Sequence, residues 1–123
     1  MHDDATTVAE LRALVRGFVD QRDWRQFHTP KNLAMSLAIE AAELMEHFQW
    51  LTPEQSRAVA GDADKLSDVA DELADVVCYA LALANELPID LAAAVERKMV
   101  KNAAKYPAEQ YRGRYGADDP PKS

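Results

Sequence analysis

Apolar residues recur at helical spacing along most of this chain. The first segment places them three and four positions apart, at Val8, Leu11, Leu14, Val15, Phe18 and Val19. This period marks one apolar face of an amphipathic helix. Ala, Leu, Glu, Lys and Arg dominate the rest of the chain, and clusters of β-branched residues are few. The pattern therefore predicts an all-α protein.

Helix-start signals divide the chain into four main helices and one short one. Thr7 has Glu10 three residues on, which is a capping-box pattern, and Thr29 and Thr52 are each followed by proline. Asp90 can cap the last main helix. We predict main helices over residues 7–23, 30–50, 63–86 and 90–105, and a short helix over residues 53–60.

The four main helices are expected to pack as one bundle. We predict a domain over residues 1–107, followed by a basic, partly flexible tail over residues 108–123 that carries Arg112 and Arg114. A chain of 123 residues can build only a modest core. Self-association would therefore add useful buried surface.

Charge and apolar content weigh against several classes of protein. The net charge of −7 argues against general nucleic-acid binding, which needs a basic face. The longest apolar run, residues 76–84, is too short for a membrane span, and the polar N-terminus does not indicate a signal peptide. The single cysteine, Cys78, is expected to be a buried, inert thiol. A protein without disulfides fits the reducing cytosol, so we expect a cytoplasmic location.

Two carboxylate pairs stand out on the predicted helices. Glu40 and Glu43 are three residues apart on one helix, and Glu72 and Asp75 repeat that spacing on another. Residues at i and i+3 share one helix face. Both pairs border apolar stripes that should pack inward, so antiparallel packing would bring the pairs together across one groove.

Four carboxylates in one groove would need a cation or protons. Charges about 5 Å apart repel by roughly 3 kcal/mol per pair at an effective dielectric constant near 20. Hard oxygen ligands favour Mg²⁺, with Mn²⁺ as the alternative. Spacing alone leaves open that these are solvated surface carboxylates.

Other side chains could serve a phosphate or a base. Lys98 and Asn102 share one polar helix face, Tyr79 follows Asp75 by one turn, and Trp24 and Trp50 flank the helix of the first pair. Each of them also has an ordinary structural explanation as a solvated or packed side chain. The sequence lacks a P-loop, a zinc-binding pattern and any Glu-x-x-His motif, which leaves oxygen-held divalent chemistry.

Four segments together resemble the MazG-like all-α nucleoside triphosphate pyrophosphohydrolases, and within that family the dCTP-hydrolysing group. The likeness extends over about residues 9–107 and rests on ExxE followed by ExxD, together with Arg-Asp-Trp, Phe-Gln-Trp and Lys-Met-x-x-Asn. In this chain those segments are residues 22–28, 32–50, 71–79 and 98–102.

The resemblance implies a role for each matching residue. The metal ligands would be Glu40, Glu43, Glu72 and Asp75. Glu40 or Glu43 would activate water, and Lys98 would stabilise developing charge. The substrate would contact Trp24, His28, Asn32, Trp50, Tyr79, Lys98 and Asn102. Glu46 would have a supporting role.

The resemblance also implies an activity and an assembly. The expected reaction is Mg²⁺-dependent hydrolysis of dCTP or a modified dCTP to the monophosphate and pyrophosphate, as nucleotide-pool house-cleaning, in a homotetramer or dimer. Two alternatives stay open at this point. One is a pyrophosphohydrolase of general nucleoside triphosphates or phosphoribosyl-ATP, and the other is a non-enzymatic acidic helical module.

Overall fold

A computed structural model describes residues 1–116 and 118–120 of the chain, and its regular structure is helical. The helices are α1 (Val8–Gln21), α2 (Pro30–Glu46), α3 (Pro53–Ala58), α4 (Ala63–Glu86), α5 (Leu91–Lys105) and α6 (Ala108–Tyr111), with single 3₁₀ turns at Arg25–Phe27 and Val59–Gly61. The prediction of an all-α protein is confirmed. The chain divides into two compact units, Met1–Ile89 and Asp90–Ser123.

The predicted start signals all cap helices. The Thr7 hydroxyl accepts the Glu10 backbone N–H at 3.1 Å, and Glu10 in return accepts the Thr7 N–H at 2.6 Å. Thr29, Thr52 and Asp90 each accept a backbone N–H three residues on. These contacts satisfy donors that a helix leaves free at its first turn, so the local sequence sets where these four helices begin.

Three helix ends differ from the prediction, and the first is α1, which ends at Gln21 rather than at residue 23. Helix α2 ends at Glu46 rather than at residue 50, because His47 and Phe48 already donate to carbonyls three residues back. Helix α3 ends at Ala58 and continues as a 3₁₀ turn. Aromatic and histidine side chains favour the helix weakly, and the next helix start at Thr52-Pro53 requires an extended residue before proline.

The predicted tail contains the short helix α6, and it belongs to the same compact unit as α5. Within this unit the Tyr106 and Tyr111 rings pack edge to face with centroids 5.2 Å apart. The unit begins at Asp90, so the predicted fourth bundle helix lies in it and not among residues 1–89. The predicted domain over residues 1–107 stays a prediction, and Ala117 and residues 121–123 of the tail lie outside the described residues.

Helices α2 and α4 form the main helix pair of the first unit and lie antiparallel. Arg25, just before α2, pairs with Glu86 at the end of α4, with Nε and Oε1 3.3 Å apart. At the other end, Leu51 shares a cavity lining with Lys65, near the start of α4. Antiparallel packing therefore brings the middle of one helix beside the middle of the other.

The core of the first unit is small. Its buried apolar residues are Val19, Leu33, Val59, Leu81, Ala82 and Ala84. Many large apolar side chains instead stay exposed, among them Leu14, Ile39, Leu73 and, in the second unit, Val100. The structure thus agrees with the expectation of only a modest core.

No single helix in the described chain is long and apolar enough to cross a membrane. Helices α4 and α5 pass the combined requirement of length and apolarity only when they are counted together. The cytoplasmic location and the lack of a nucleic-acid partner stay predictions.

A half-buried arginine ties α1 to the end of α4. The Arg12 guanidinium donates to Asn85 Oδ1 at 3.0 Å, to the Ala84 carbonyl at 2.9 Å and to the Ile89 carbonyl at 2.6 Å. The Asn85 amide donates back to the Arg12 carbonyl at 3.2 Å. A cation at a helix C-terminus satisfies carbonyls that have no partner inside the helix and complements the helix dipole.

We expect Arg12→Ala to lower the free energy of unfolding by about 2–3 kcal/mol, because the substitution leaves several hydrogen-bond acceptors without their charged donor. Arg16→Ala is the control, since Arg16 contacts the same Asn85 oxygen through one exposed 3.2 Å hydrogen bond. Its cost should stay below about 1 kcal/mol. Urea unfolding of both variants measures this, and equal losses would contradict the central role of Arg12.

Candidate functional site

Three carboxylates meet where α2 and α4 pack. Glu40, Glu43 and Glu72 each offer an oxygen atom, and the three atoms lie within 4.8 Å of one another. All three side chains are half-buried. The spread matches the distance between oxygen ligands around one divalent cation, whose metal–oxygen bonds are about 2.0–2.6 Å. Helical spacing within each pair and antiparallel packing between the helices account for the meeting.

Two oxygen atoms of this cluster are enclosed without a hydrogen-bond partner. These are Oε2 of Glu40 and Oε2 of Glu72. A polar atom shielded from water costs free energy unless a donor or a cation compensates it. Among the described residues no donor reaches either atom, so the cluster fits a divalent cation and supplies the hard oxygen ligands that Mg²⁺ or Mn²⁺ takes.

The environment of Glu40 favours its protonated form. Partial burial raises the pKa of Glu40 from 4.5 to about 7, together with hydrogen-bonding contact to the Glu43 and Glu72 carboxyl groups and the charges of Glu43 and Asp75. Desolvation and nearby negative charge both disfavour another ionised carboxylate. Without a cation, the cluster therefore holds a proton near neutral pH.

Asp75 links this cluster to a neighbouring groove. Its charge acts on Glu40, yet its side chain is exposed and lines a groove of about 510 Å³ between α1 and α4. Trp24, His28 and Tyr79 line the same groove. The structure thus brings three predicted substrate residues and one predicted metal ligand to the same groove. The carboxylate cluster lies beside the groove, on the side of Asp75.

Trp50 and Asn32 lie apart from this groove. Trp50 follows the end of α2, is 86% exposed and does not line the groove. Asn32 is exposed in the first turn of α2, where its amide donates to the Phe27 carbonyl at 3.0 Å. The structure does not bring either residue to the groove, and their substrate roles stay predictions.

Lys98 and Asn102 lie on α5, in the second unit, four residues apart on one face. Lys98 is exposed, and the Asn102 amide contacts Met99 Sδ at 3.9 Å. Glu46 is the last residue of α2 and is exposed. The predicted roles of these residues likewise stay predictions.

The groove also contains residues that sequence reasoning missed. Leu14 and Phe18 line it, and both are exposed. Their helical spacing predicted a packed face, and nothing in that pattern marks an apolar face as the wall of an open groove. The prediction of a buried thiol at Cys78 is wrong: Cys78 is exposed and lines the groove, because α1 leaves this face of α4 partly uncovered. Partial desolvation of the sulfur atom by its neighbours and the charge of Asp75 raise the thiol pKa.

Curated proteins include close relatives of this chain. The dCTP pyrophosphatase 1 of Bos taurus is 38% identical over 107 residues, which cover 87% of this chain and 63% of that protein. The dCTP pyrophosphatase 1 of Homo sapiens is 39% identical over 102 residues, which cover 83% of this chain and 60% of that protein. The chain therefore spans somewhat less than two thirds of these relatives.

A solved structure and a family profile also match this chain. A pyrophosphatase crystal structure from Archaeoglobus fulgidus is similar with a TM-score of 0.73 and 41% identity, covering 87% of this chain and 98% of that one. The profile of the MazG-like family matches residues 35–115, which include all four predicted metal ligands. With helices, carboxylate cluster and profile in agreement, the chain belongs to the MazG-like family.

Proposed function

We propose that this protein hydrolyses a deoxynucleoside triphosphate, dCTP or a modified dCTP, to the monophosphate and pyrophosphate, with Mg²⁺ as cofactor. The observation that carries the proposal is the cluster of Glu40, Glu43 and Glu72, with its enclosed, unpartnered oxygens, beside an aromatic-walled groove. Relatives at 38–39% identity named dCTP pyrophosphatase 1 support the reaction and the base.

The carboxylates would hold the cation and shape the reacting end of the site. Glu40, Glu43 and Glu72 are the ligands that their geometry favours, and Asp75 would complete the set from the groove side. A bound Mg²⁺ would neutralise phosphate charge and acidify a water molecule. Glu40 or Glu43 would orient that water and accept its proton.

The groove would hold the base. Trp24 offers an aromatic face that is 44% exposed, which suits stacking on a nucleobase. His28 and Tyr79 add polar groups to an otherwise largely apolar lining. A few polar groups in an apolar cleft are typical of a small-molecule site, where they set orientation and specificity.

Lys98 and Asn102 are proposed as triphosphate contacts. The Lys-Met-x-x-Asn segment supports this assignment, and one face of α5 carries both side chains. A lysine adds fixed positive charge where negative charge develops in the transition state. The basic tail with Arg112 and Arg114 is not assigned to the site.

A homo-oligomer, a tetramer or a dimer, is part of the proposal. The buried apolar residues of the described chain all lie in residues 1–89, while both units expose large apolar side chains. Contiguous apolar faces on a small protein mark interaction surfaces. Self-association would bury them and add to a stability that the small core supplies only in part.

Incubation with Mg²⁺ and a panel of deoxynucleoside and ribonucleoside triphosphates tests the reaction. We expect dCTP to give dCMP and pyrophosphate. Glu43→Gln and Asp75→Asn should each lower kcat/KM by about 100-fold or more, because each removes charge that holds the cation. Asp64→Asn, which changes an exposed carboxylate in the first turn of α4, is the matched control.

Phosphate analysis of the products and circular dichroism of the variants complete the test. Release of orthophosphate alone, or no turnover, would contradict the proposed reaction. Equal turnover of all bases would favour the general triphosphate pyrophosphohydrolase. Near-normal rates in a folded Glu43→Gln variant would contradict the metal assignment.

Protons and Mg²⁺ should compete for the Glu40 carboxyl. Its pKa of about 7 lies above the ordinary value, so its contribution to the stability of the metal-free protein is present at low pH and lost as pH rises through about 7. Bound Mg²⁺ offsets the ionised cluster. We therefore expect Mg²⁺ to raise Tm more at about pH 8 than at about pH 5.5.

Thermal melts with and without Mg²⁺ at the two pH values measure this competition. In Glu40→Gln the Mg²⁺ effect should shrink at the higher pH, and the metal-free variant should lose less stability as pH rises. A Tm increase of the same size at both pH values would show that Glu40 does not exchange a proton for the cation.

The two tryptophans should differ in their effect on binding. Trp24→Ala should weaken dCTP binding by about 5- to 150-fold, because stacking of a base on an aromatic side chain contributes about 1–3 kcal/mol. Trp50→Ala should weaken dCTP binding less, since Trp50 does not line the groove. Calorimetric titration with dCTP in Ca²⁺, used to suppress turnover, measures both. A larger loss for Trp50→Ala would place the base elsewhere.

A further inference from the structure

The end of α1 turns the chain back so that Trp24 faces the groove. Arg22 closes the helix, and Asp23 follows with φ 51°, in the left-handed region. The Asp23 N–H donates to the Asp20 carbonyl and the Trp24 N–H to the Val19 carbonyl, both at 3.1 Å. This pair of hydrogen bonds is the Schellman motif, in which the left-handed position is usually occupied by glycine. Aspartate adopts the left-handed conformation more readily than most other residues.

The Schellman motif determines where the Trp24 side chain can go. Its backbone is bound to Val19, which is buried, and both residues line the groove. Trp24 remains 44% exposed, so burial alone does not select one orientation of its ring. A second element is needed to select one orientation of a half-exposed ring.

Phe18 and Arg22 supply that element. The Phe18 and Trp24 rings pack edge to face, with centroids 5.7 Å apart and planes at 75°. The Arg22 guanidinium carbon lies 3.7 Å from the Phe18 ring centroid, and Arg22 Nη1 donates to the Phe18 carbonyl at 3.0 Å. The Arg22 cation thus holds the Phe18 ring, and the Phe18 ring packs edge to face with the Trp24 indole.

We propose that Phe18 and Arg22 are positioning residues that hold the Trp24 indole in the orientation needed to stack on the base, and so strengthen base-dependent binding. The inference rests on the proposed function, because it takes Trp24 to be the stacking surface. The carboxylate cluster is built from α2 and α4, and Phe18 and Arg22 belong to the other end of the site. Their loss should therefore weaken nucleotide binding while leaving Mg²⁺ binding intact.

A single-tryptophan protein tests the inference. Trp50→Phe leaves Trp24 as the only indole, and it serves as the parent for Phe18→Leu, Phe18→Tyr and Arg22→Gln. Gln21→Ala, an exposed residue in the last turn of α1, is the control. The measurements are the time-resolved fluorescence anisotropy of Trp24 without nucleotide, its quenching on titration with dCTP in Ca²⁺, and the Tm shift given by Mg²⁺ alone.

Phe18→Leu and Arg22→Gln should each make Trp24 more mobile and raise the Kd for dCTP about 3- to 10-fold, the range that corresponds to the loss of one aromatic or cation–π contact. Phe18→Tyr keeps the aromatic ring, so the mobility of Trp24 and the Kd for dCTP should both stay close to the parent values. The Mg²⁺ shift should stay at the parent value in every variant, and Gln21→Ala should match the parent throughout.

Each failure has its own signature. Unchanged mobility of Trp24 in both Phe18→Leu and Arg22→Gln would overturn the positioning role, and Arg22→Gln decides this even if Phe18→Leu fails to fold, since Arg22 is exposed. Increased mobility with an unchanged Kd would overturn the link to the base. Turnover of dCTP by the parent without any dCTP-dependent quenching would overturn the role of Trp24 as the stacking surface, and with it the inference. No turnover of dCTP by the protein with both tryptophans would overturn the proposed function itself.

Discussion

The repulsion among three half-buried carboxylates is the interaction on which the rest of this structure depends. Glu40, Glu43 and Glu72 present oxygens within 4.8 Å of one another, and two of those side chains carry an enclosed oxygen without a partner. Such an arrangement destabilises the metal-free protein and is useful only when a cation occupies it. Helices α2 and α4 hold the carboxylates together through their antiparallel packing, and Leu33 of α2 and Leu81 and Ala84 of α4 are buried.

Helix α4 takes part in two chemically different environments, one with α2 and one with α1. Charge concentrates where α2 meets α4, whereas the groove between α1 and α4 is largely apolar. Asp75 stands between them, since its charge acts on Glu40 while its side chain lines the groove. A nucleoside triphosphate has the same division, with a charged end that requires cations and a flat aromatic end that favours an apolar wall.

Much of the fold could be predicted from the sequence, because helix starts depend on local hydrogen bonds at residues such as Thr7 and Thr52. The two carboxylate pairs could be predicted as well, since i, i+3 spacing places each pair on one helix face. Their meeting depends on the antiparallel packing of α2 and α4, and the structure places Asp75 in the groove lining beside the cluster. Helix ends were harder: the end of α2 depends on weak propensities and on the next turn. The openness of the groove could not be predicted, because the periodicity that places Phe18 and Cys78 on apolar faces does not tell whether another helix covers them.

The central claim is that the carboxylate cluster is a divalent-cation site. Anomalous diffraction from crystals grown with Mn²⁺ tests it most directly, because the signal locates the metal without reference to turnover. We expect an anomalous peak between the carboxylate oxygens of Glu40, Glu43 and Glu72, and its loss in Glu43→Gln. Crystals that bind Mn²⁺ elsewhere, or that show no peak at the cluster in saturating Mn²⁺, would contradict it.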